Sequence, residues 1–467
     1  MDALLNDIAT VVGQGNVLTG ADVVTRRVDW LSGEPCRAGA IVRPADTDEL
    51  ASVMRLCHAA RQPVVAHGGL TGLVHGATTA PHELAISLER LSAIEALDPI
   101  GGTLTVQAGV PLQRVQEAAE AEGLQFPLDL GARGSCTIGG NIATNAGGVR
   151  VIRYGMMRQQ VLGLEAVLAD GTVVSSLNRM LKNNAGYDLK QLFIGSEGTL
   201  GIVTRAVLKL QPRLPSEQTA LVACPDFEAL TALLRHLGHR LGGALGTFEV
   251  MWDNHYRLLT EESGRHAPPL ALGAPFYVLV ESLGLDPERN AVQFTEALEA
   301  ALADRLISDA VVAQSATQRD ALWAIREDIE GLLQTLAPLF TFDISLPIAE
   351  MATYVAELES ALARDWPEGR LVVFGHLGDG NLHVSVSVGS AEREVRCAVE
   401  HLVYAPLTPL GGSVSAEHGI GLEKRDYLSL SRSPEEIALM RTLKRALDPH
   451  HLLNPHKVLP PAPEDTP

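Results

Sequence analysis

The spacing of apolar residues changes along the chain, and the changes mark out elements. Ala40-Ile41-Val42-Arg43-Pro44 is a short apolar run stopped by proline, which reads as a strand. Leu50, Val53, Met54 and Leu56 then recur at helical spacing, predicting a helix over 48–61 with Thr47 as its N-cap. Pro63-Val64-Val65-Ala66 reads as a buried strand running into a glycine-rich loop. Further strands are expected over 83–87 and 103–108, and a helix after Pro111. Residues 161–168 and 171–175 suit a hairpin turning at Ala169-Asp170-Gly171-Thr172, and 201–210 alternates as a strand does.

Pro212 and Pro215 mark a boundary. Beyond it, strand patterns (276–281, 371–374, 383–388) alternate with helical ones (287–302, 348–363, 392–402), which predicts an antiparallel sheet with flanking helices. A last helix is expected over 434–446, and the Pro-rich end, 460–467, is expected to fray. The whole reads as α+β, divided into a helix and connector (1–36), a first domain (37–212), a second (213–425) and a C-terminal helix and tail returning to the first (426–467).

Composition narrows the classes. The 467 residues are 46% hydrophobic, enough for a sizeable core, and carry a net charge of −19, a poor basis for generic nucleic-acid binding. Five cysteines with no C-x-x-C argue against a disulfide framework or a cysteine zinc cluster and suit a reducing compartment. The N-terminus has no signal-peptide pattern, and no stretch of 18 apolar residues predicts a membrane span; a cytoplasmic location is expected.

Forty-three glycines point to close backbone approaches, and three clusters stand out. His67-Gly68-Gly69-Leu70-Thr71-Gly72-Leu73-Val74-His75-Gly76-Ala77 follows a strand and can aim several N–H groups at a pyrophosphate. It is not G-x-G-x-x-G, so a nicotinamide-binding Rossmann unit is disfavoured. Residues 127–148 form a long glycine-rich stretch with Ser, Thr and Asn side chains suited to a flavin ring, and Gly195-Ser196-Glu197-Gly198-Thr199-Leu200-Gly201 leads into a strand. The sharpest chemical signal is Gly375-His376-Leu377-Gly378-Asp379-Gly380-Asn381-Leu382-His383, a strand–turn–strand that can bring two imidazoles to one point. On the second strand His383, Ser385 and Ser387 would share a polar face, opposite Val384, Val386 and Val388. A carboxylate to complete a divalent site is available in Ser415-Ala416-Glu417-His418-Gly419, where adjacent side chains point different ways.

Together the three glycine clusters resemble the FAD domain of the vanillyl-alcohol oxidase / p-cresol methylhydroxylase superfamily. The likeness covers residues 37–458 and is nearest in the D-lactate, glycolate and D-2-hydroxyglutarate dehydrogenase branch; residues 127–136 and 184–199 are especially similar to D-2-hydroxyglutarate dehydrogenases. It implies a two-subdomain FAD-binding domain plus a substrate and metal-binding cap domain. It implies non-covalent FAD, with Gly68, Gly69, Thr71 and Gly72 at the pyrophosphate. Gly134, Ser135, Thr137, Gly140, Asn141, Thr144 and Gly147 would line the flavin, and Glu197, Gly198 and Ile202 the adenine and ribose end. His75 stands where the family often has glycine; either the position does not need a positive φ or the ring touches the cofactor.

The resemblance also assigns His376, His383 and Glu417 as ligands to zinc or manganese, His418 as general base, and Asn381 and Arg326 as substrate contacts. The implied reaction is oxidation of a D-2-hydroxy acid, the metal holding the α-hydroxyl and a carboxylate oxygen, His418 taking the hydroxyl proton and the hydride passing to flavin N5. Electrons would leave to a quinone, a cytochrome or an electron-transfer flavoprotein, and a homodimer is left open. The hydroxyglutarate pattern has a threonine four residues after this arginine and a lysine two before the next strand's Asp; here Glu330 and Thr341 stand there. Losing a cation and gaining an anion favours a monocarboxylate such as D-lactate, with D-2-hydroxyglutarate dehydrogenase or a glycolate oxidase FAD subunit as alternatives. An O₂-using oxidase, a metal-dependent hydrolase and a redox-inactive flavin binder are the competing readings.

Overall fold

The computed structural model describes residues 1–29 and 33–461; residues 30–32 of the expected connector and 462–467 of the expected frayed tail lie outside them. The chain forms two compact units: Met1–Gly148, Tyr154–Arg213 and Glu417–Pro467 make the first, Val149–Arg153 and Leu214–Ala416 the second.

In the first unit Ala40–Val42, Leu84–Ser87 and Val64–His67 lie side by side as parallel strands, with Val17–Leu18 added antiparallel at one edge. Parallel strands are covered on both faces, which is why these segments are apolar runs rather than alternations. The helix Thr47–Ala60 buries Leu50, Val53, Met54 and Cys57 into the core they share. Its cap is Asp46, whose carboxylate accepts from the Glu49 amide at 2.8 Å. Thr47, the residue expected to cap, is the first helical residue, and its hydroxyl instead donates to Glu165 at 2.7 Å. A second, five-stranded antiparallel sheet runs Ile94–Asp98, Thr103–Gln107, Ile202–Lys209, Val161–Val167, Val173–Ser176, and includes the expected hairpin. Its edge strand Ile94–Asp98 has no clear periodicity to reveal it.

The C-terminal segment is stitched into this unit by polar groups. Leu453 runs parallel to Val64, extending the parallel sheet. The buried Lys444 ammonium, on the helix Pro434–Leu447, donates to Asp448 at 2.6 Å and to the carbonyls of Thr199 and Leu453, both at 2.8 Å. Three acceptors satisfy its three protons.

His67 ends its strand with the ring buried, Nε2–H donating to the Ala77 carbonyl at 2.9 Å. Burial pushes its pKa down to about 4. The unfolded chain then binds more protons than the native one between about pH 6.5 and 4. The neutral ring's contribution is thus fully present above that window and lost on acidification through it, on the order of 3 kcal/mol. His67→Gln, which can still donate to Ala77, should show a shallower fall in unfolding free energy from pH 6.5 to 4; parallel pH curves would refute this.

The second unit is built on a seven-stranded antiparallel sheet in the order Asp309–Val312, Ser216–Cys224, Phe276–Gly284, Leu245–Trp252, Arg370–His376, Asn381–Ser387, Phe340–Ser345. Ala316–Glu327 and Ile329–Leu336 cover one face through Leu322, Ile325, Leu332 and Leu336, packed on Leu221, Leu279, Val372 and Phe374. The helices Phe227–Leu241, Pro287–Ala303, Met351–Asp365 and Arg393–Tyr404 bury apolar residues of their own. Ser385 is buried along with Val384 and Val386, while His383 and Ser387 are half-buried, so the polar face expected for the strand of His383 is largely covered.

The chain passes into this unit after Arg213 and leaves it at Glu417, where the sequence pattern suggests 212/213 and 425/426. Val149–Arg153 also belongs here, inside the span expected to be the FAD-binding domain. Arg150 explains this: its guanidinium meets the fully buried Glu281 at 2.6 Å and Glu217 at 2.5 Å. Glu281 also accepts from Thr219 and Trp323. A buried carboxylate so paired cannot surrender its cation without a large cost. No helix among the described residues is long and apolar enough to cross a membrane.

Candidate active site

The three glycine clusters of the first unit surround a cavity of about 390 Å³. Gly68, Gly69, Thr71 and Gly72 line it; so do Thr137, Gly140, Asn141, Thr144 and Gly147, and Glu197, Gly198 and Ile202. Gly134 and Ser135 are not among its lining residues. Ser135 stands behind it: a Cβ on Gly69 would lie 2.2 Å from the Ser135 carbonyl oxygen, so the first loop can pass the second only as glycine. The long stretch is not irregular throughout, because Ile138–Ala143 is helical. Thr137 lines this cavity, and its buried hydroxyl has no hydrogen-bond partner among the described residues. An orphaned hydroxyl in a glycine-lined cleft fits a polar cofactor such as FAD.

His75 does adopt φ 58°, and its ring turns away from the cavity, with Nδ1 3.5 Å from Asp29 and Nε2 3.8 Å from Glu423. The first alternative raised for it is therefore wrong, since the position does have a positive φ; the ring has two carboxylates beside it, and His75 is not among the residues that line the cavity.

Glu417 and His418 reach the same cavity. They are delivered by Glu197, whose two carboxylate oxygens accept from the amides of Ile420 at 2.7 Å and Gly421 at 2.8 Å. Gly421 has φ 53°, and a Cβ there would sit 1.9 Å from the Val74 carbonyl oxygen. The segment after His418 is thus pinned against both glycine loops by contacts that only these residues allow. Glu197 lines the cavity, but its carboxylate is occupied by this backbone.

The second unit gathers the other chemical residues on adjacent strands. His376 ends Arg370–His376 and His383 lies in Asn381–Ser387, and nitrogens of the two rings approach within 4.8 Å, the rings 5.2 Å apart and nearly perpendicular. Behind each stands a carboxylate from the flanking strand. Glu249 is the direct cross-strand neighbour of His376 and accepts from its Nδ1 at 2.6 Å. Asp343 is the direct neighbour of His383, with Oδ1 3.6 Å from its Nδ1. Carboxylates behind imidazoles, with ring nitrogens converging in front, fit a divalent cation.

Arg326 is not a surface residue: it is 6% exposed, stacked 4.6 Å over Phe374, and donates to Glu249 through Nε at 2.9 Å and Nη2 at 2.7 Å. The Nε–Nη2 edge of the guanidinium is therefore committed to Glu249, and the Nη1–Nη2 edge is the one that remains. Burial raises the Glu249 carboxyl's pKa, but His376 and Arg326 outweigh it and hold the group below the ordinary range. Asn381 is buried; its amide nitrogen donates to Asp343 at 2.8 Å and to the Ile344 carbonyl at 3.0 Å, and its Oδ1 has no partner among the described residues. Asp343 also accepts from the amide of Ala416 at 3.2 Å. Ala416 is the residue before Glu417, so the carboxylate behind His383 anchors the chain one peptide bond from Glu417.

Glu249 and the supporting role of Asp343 escape the sequence reading. The signal for Glu249 was a lone acid in the apolar run 245–252, but its partner depends on which strand lies alongside.

Two family models match the chain: "FAD binding domain" over residues 38–176 and "FAD linked oxidases, C-terminal domain" over 213–458. A D-2-hydroxyglutarate dehydrogenase of Xanthomonas citri pv. viticola is 41% identical over 92% of this chain and 91% of its own length. The mitochondrial D-2-hydroxyglutarate dehydrogenase of Bos taurus is 40% identical over 97% of this chain and 84% of its own. The solved structure of p-cresol methylhydroxylase with substrate bound superposes with a TM-score of 0.78, covering 98% of this chain and 97% of that one, at 15% identity, a likeness of fold alone. The chain therefore belongs to the FAD-linked oxidases, in the company of the D-2-hydroxyglutarate dehydrogenases.

Proposed function

We propose that the protein oxidises a D-2-hydroxy acid to the 2-oxo acid, with His376, His383 and Glu417 holding a divalent metal, zinc or manganese, and His418 as the base. The observation that carries this reading is the pair of converging imidazoles, each backed by a carboxylate, in a chain whose FAD-type cavity is reached by Glu417 and His418. When bound, the flavin supplies the hydride acceptor and the metal the acidity that loosens the substrate hydroxyl proton.

The chain's own residues supply the rest. His418 accepts the α-hydroxyl proton. Arg326 offers its Nη1–Nη2 edge to the substrate carboxylate, its plane fixed by Glu249 and Phe374. Asn381 offers Oδ1. Gly68, Gly69, Thr71 and Gly72 present backbone and hydroxyl donors to the pyrophosphate.

A monocarboxylate such as D-lactate is favoured by two positions. Thr341 pairs with Ser385 and shares the sheet face of Asp343, and Glu330, in the first turn of Ile329–Leu336, accepts from Gln334 at 2.8 Å. Neither supplies a cation for a second carboxylate. The second reading, D-2-hydroxyglutarate, is supported by the relatives that carry that name. Anaerobic bleaching of the flavin by D- and L-2-hydroxy acids tests the class, and kcat/KM for D-lactate against D-2-hydroxyglutarate the choice. Bleaching by neither, or only by L-enantiomers, would defeat the class; a clear preference for the diacid would defeat the monocarboxylate. All five cysteines are free, which supports a reducing compartment, the cytoplasm or a mitochondrial matrix. An acceptor such as a quinone, a cytochrome or an electron-transfer flavoprotein would then take the electrons.

A further inference from the structure

We propose that Glu249 is a positioning residue that serves two partners at once: it fixes His376 in the tautomer able to bind the metal and fixes Arg326 in the plane able to meet the substrate. The proposal rests on the metal reading above and assigns a role to a residue outside that ligand set.

The argument starts from what a carboxylate can do. Ionised, it only accepts, so the proton shared at 2.6 Å between Glu249 and His376 belongs to Nδ1 of the ring. A neutral imidazole protonated on Nδ1 has its lone pair on Nε2. Glu249 therefore decides which nitrogen is available to a cation. The other oxygen takes both Nε and Nη2 of Arg326. Glu249 is 1% exposed, so its position is dictated by these partners and by the strand Leu245–Trp252 rather than by water.

A buried ion pair is weak evidence for stability, because desolvation offsets the attraction. Two apolar side chains of the same volume would fill the place of Glu249 and Arg326 without that penalty. What they would not do is orient an imidazole and a guanidinium toward a ligand. The contrast with His383 supports the assignment: Asp343 lies 3.6 Å from that ring and is held instead by Asn381 and Ala416. Glu249 is in close contact with the His376 ring, and it is also shared with Arg326.

Glu249→Gln preserves shape while replacing one oxygen by an NH₂ group. If that group faces His376, Nδ1 must become the acceptor and the proton moves to Nε2, which removes the ligand lone pair. If it faces Arg326, two donors oppose each other and the guanidinium must swing. The flavin-loaded protein, stripped of metal, is titrated with Co²⁺ and followed by its d–d absorption bands. Wild type should bind, and E249Q should bind on the order of 10–100-fold more weakly. E249Q should also raise KM for the hydroxy acid when assayed at saturating metal. Since E249Q leaves Arg326 buried without its counter-charge, the neutral pair E249Q/R326Q is titrated alongside and should show the same weakening. Unchanged Co²⁺ affinity in a folded, flavin-loaded variant, with only its melting temperature lowered, would make Glu249 merely structural and overturn the proposal. Wild-type protein that takes up no Co²⁺ would overturn the metal reading, and this proposal with it.

Discussion

His418→Gln should leave the flavin bound and lower kcat by ~10²–10⁴-fold, the usual worth of a positioned general base. The effect should be confined to chemistry for a structural reason. His418 lines the cavity, whereas the segment that carries it is held by neighbours: Ile420 and Gly421 donate to Glu197, and Leu422 donates to the Val74 carbonyl at 3.0 Å. Removing the imidazole disturbs none of these bonds. Single-turnover reduction of the flavin under anaerobic conditions measures this, free of any step involving the electron acceptor. A rate within about tenfold of wild type would remove His418 from the role.

Stripping the metal should slow substrate-driven flavin reduction on the order of 10²–10⁴-fold, since Lewis-acid stabilisation is worth several kcal/mol and each 1.36 kcal/mol is about tenfold. Adding back Zn²⁺ or Mn²⁺ should restore the rate. The flavin should stay bound, because neither His376 nor His383 is among the residues that line the glycine-rich cavity. His383→Ala should reproduce the loss without rescue: it deletes one of two imidazoles whose nitrogens converge within 4.8 Å and leaves the Glu249–His376 contact standing. Full activity in protein whose metal content has fallen far below one ion per chain would end the metal reading, whatever the fate of the dehydrogenase assignment.

Much of this site lay open in the sequence, and the parts that did not share a cause. Loop chemistry is local. Gly68, Gly69 and Gly72 announce a close backbone approach without reference to anything distant, and the run from His376 to His383 brings its own turn, so two imidazoles on one hairpin could be foreseen. Arg326 was legible as a residue but not as a geometry. Its place on a helix said nothing of Glu249, which is 77 residues away in the chain and meets it only because the helix Ala316–Glu327 packs on the sheet. His75 shows the same limit at short range: the loop was recognisable, yet the direction of its ring was set by Asp29 and Glu423 from other segments.

By itself, then, the sequence determined the α+β character of the chain, several of its helices, its glycine-lined cofactor loops and the histidine hairpin, because each depends on neighbours a few residues apart whose spacing and backbone freedom are written locally. Only the tertiary structure decided that Glu249 stands behind His376 and Asp343 behind His383, that Arg326 turns one edge of its guanidinium to Glu249, and that Arg150 draws Val149–Arg153 into the second unit. Those outcomes follow from strand order and from the need of buried charges for partners. Sheet order is settled by the packing of the whole unit, so no local pattern carries it.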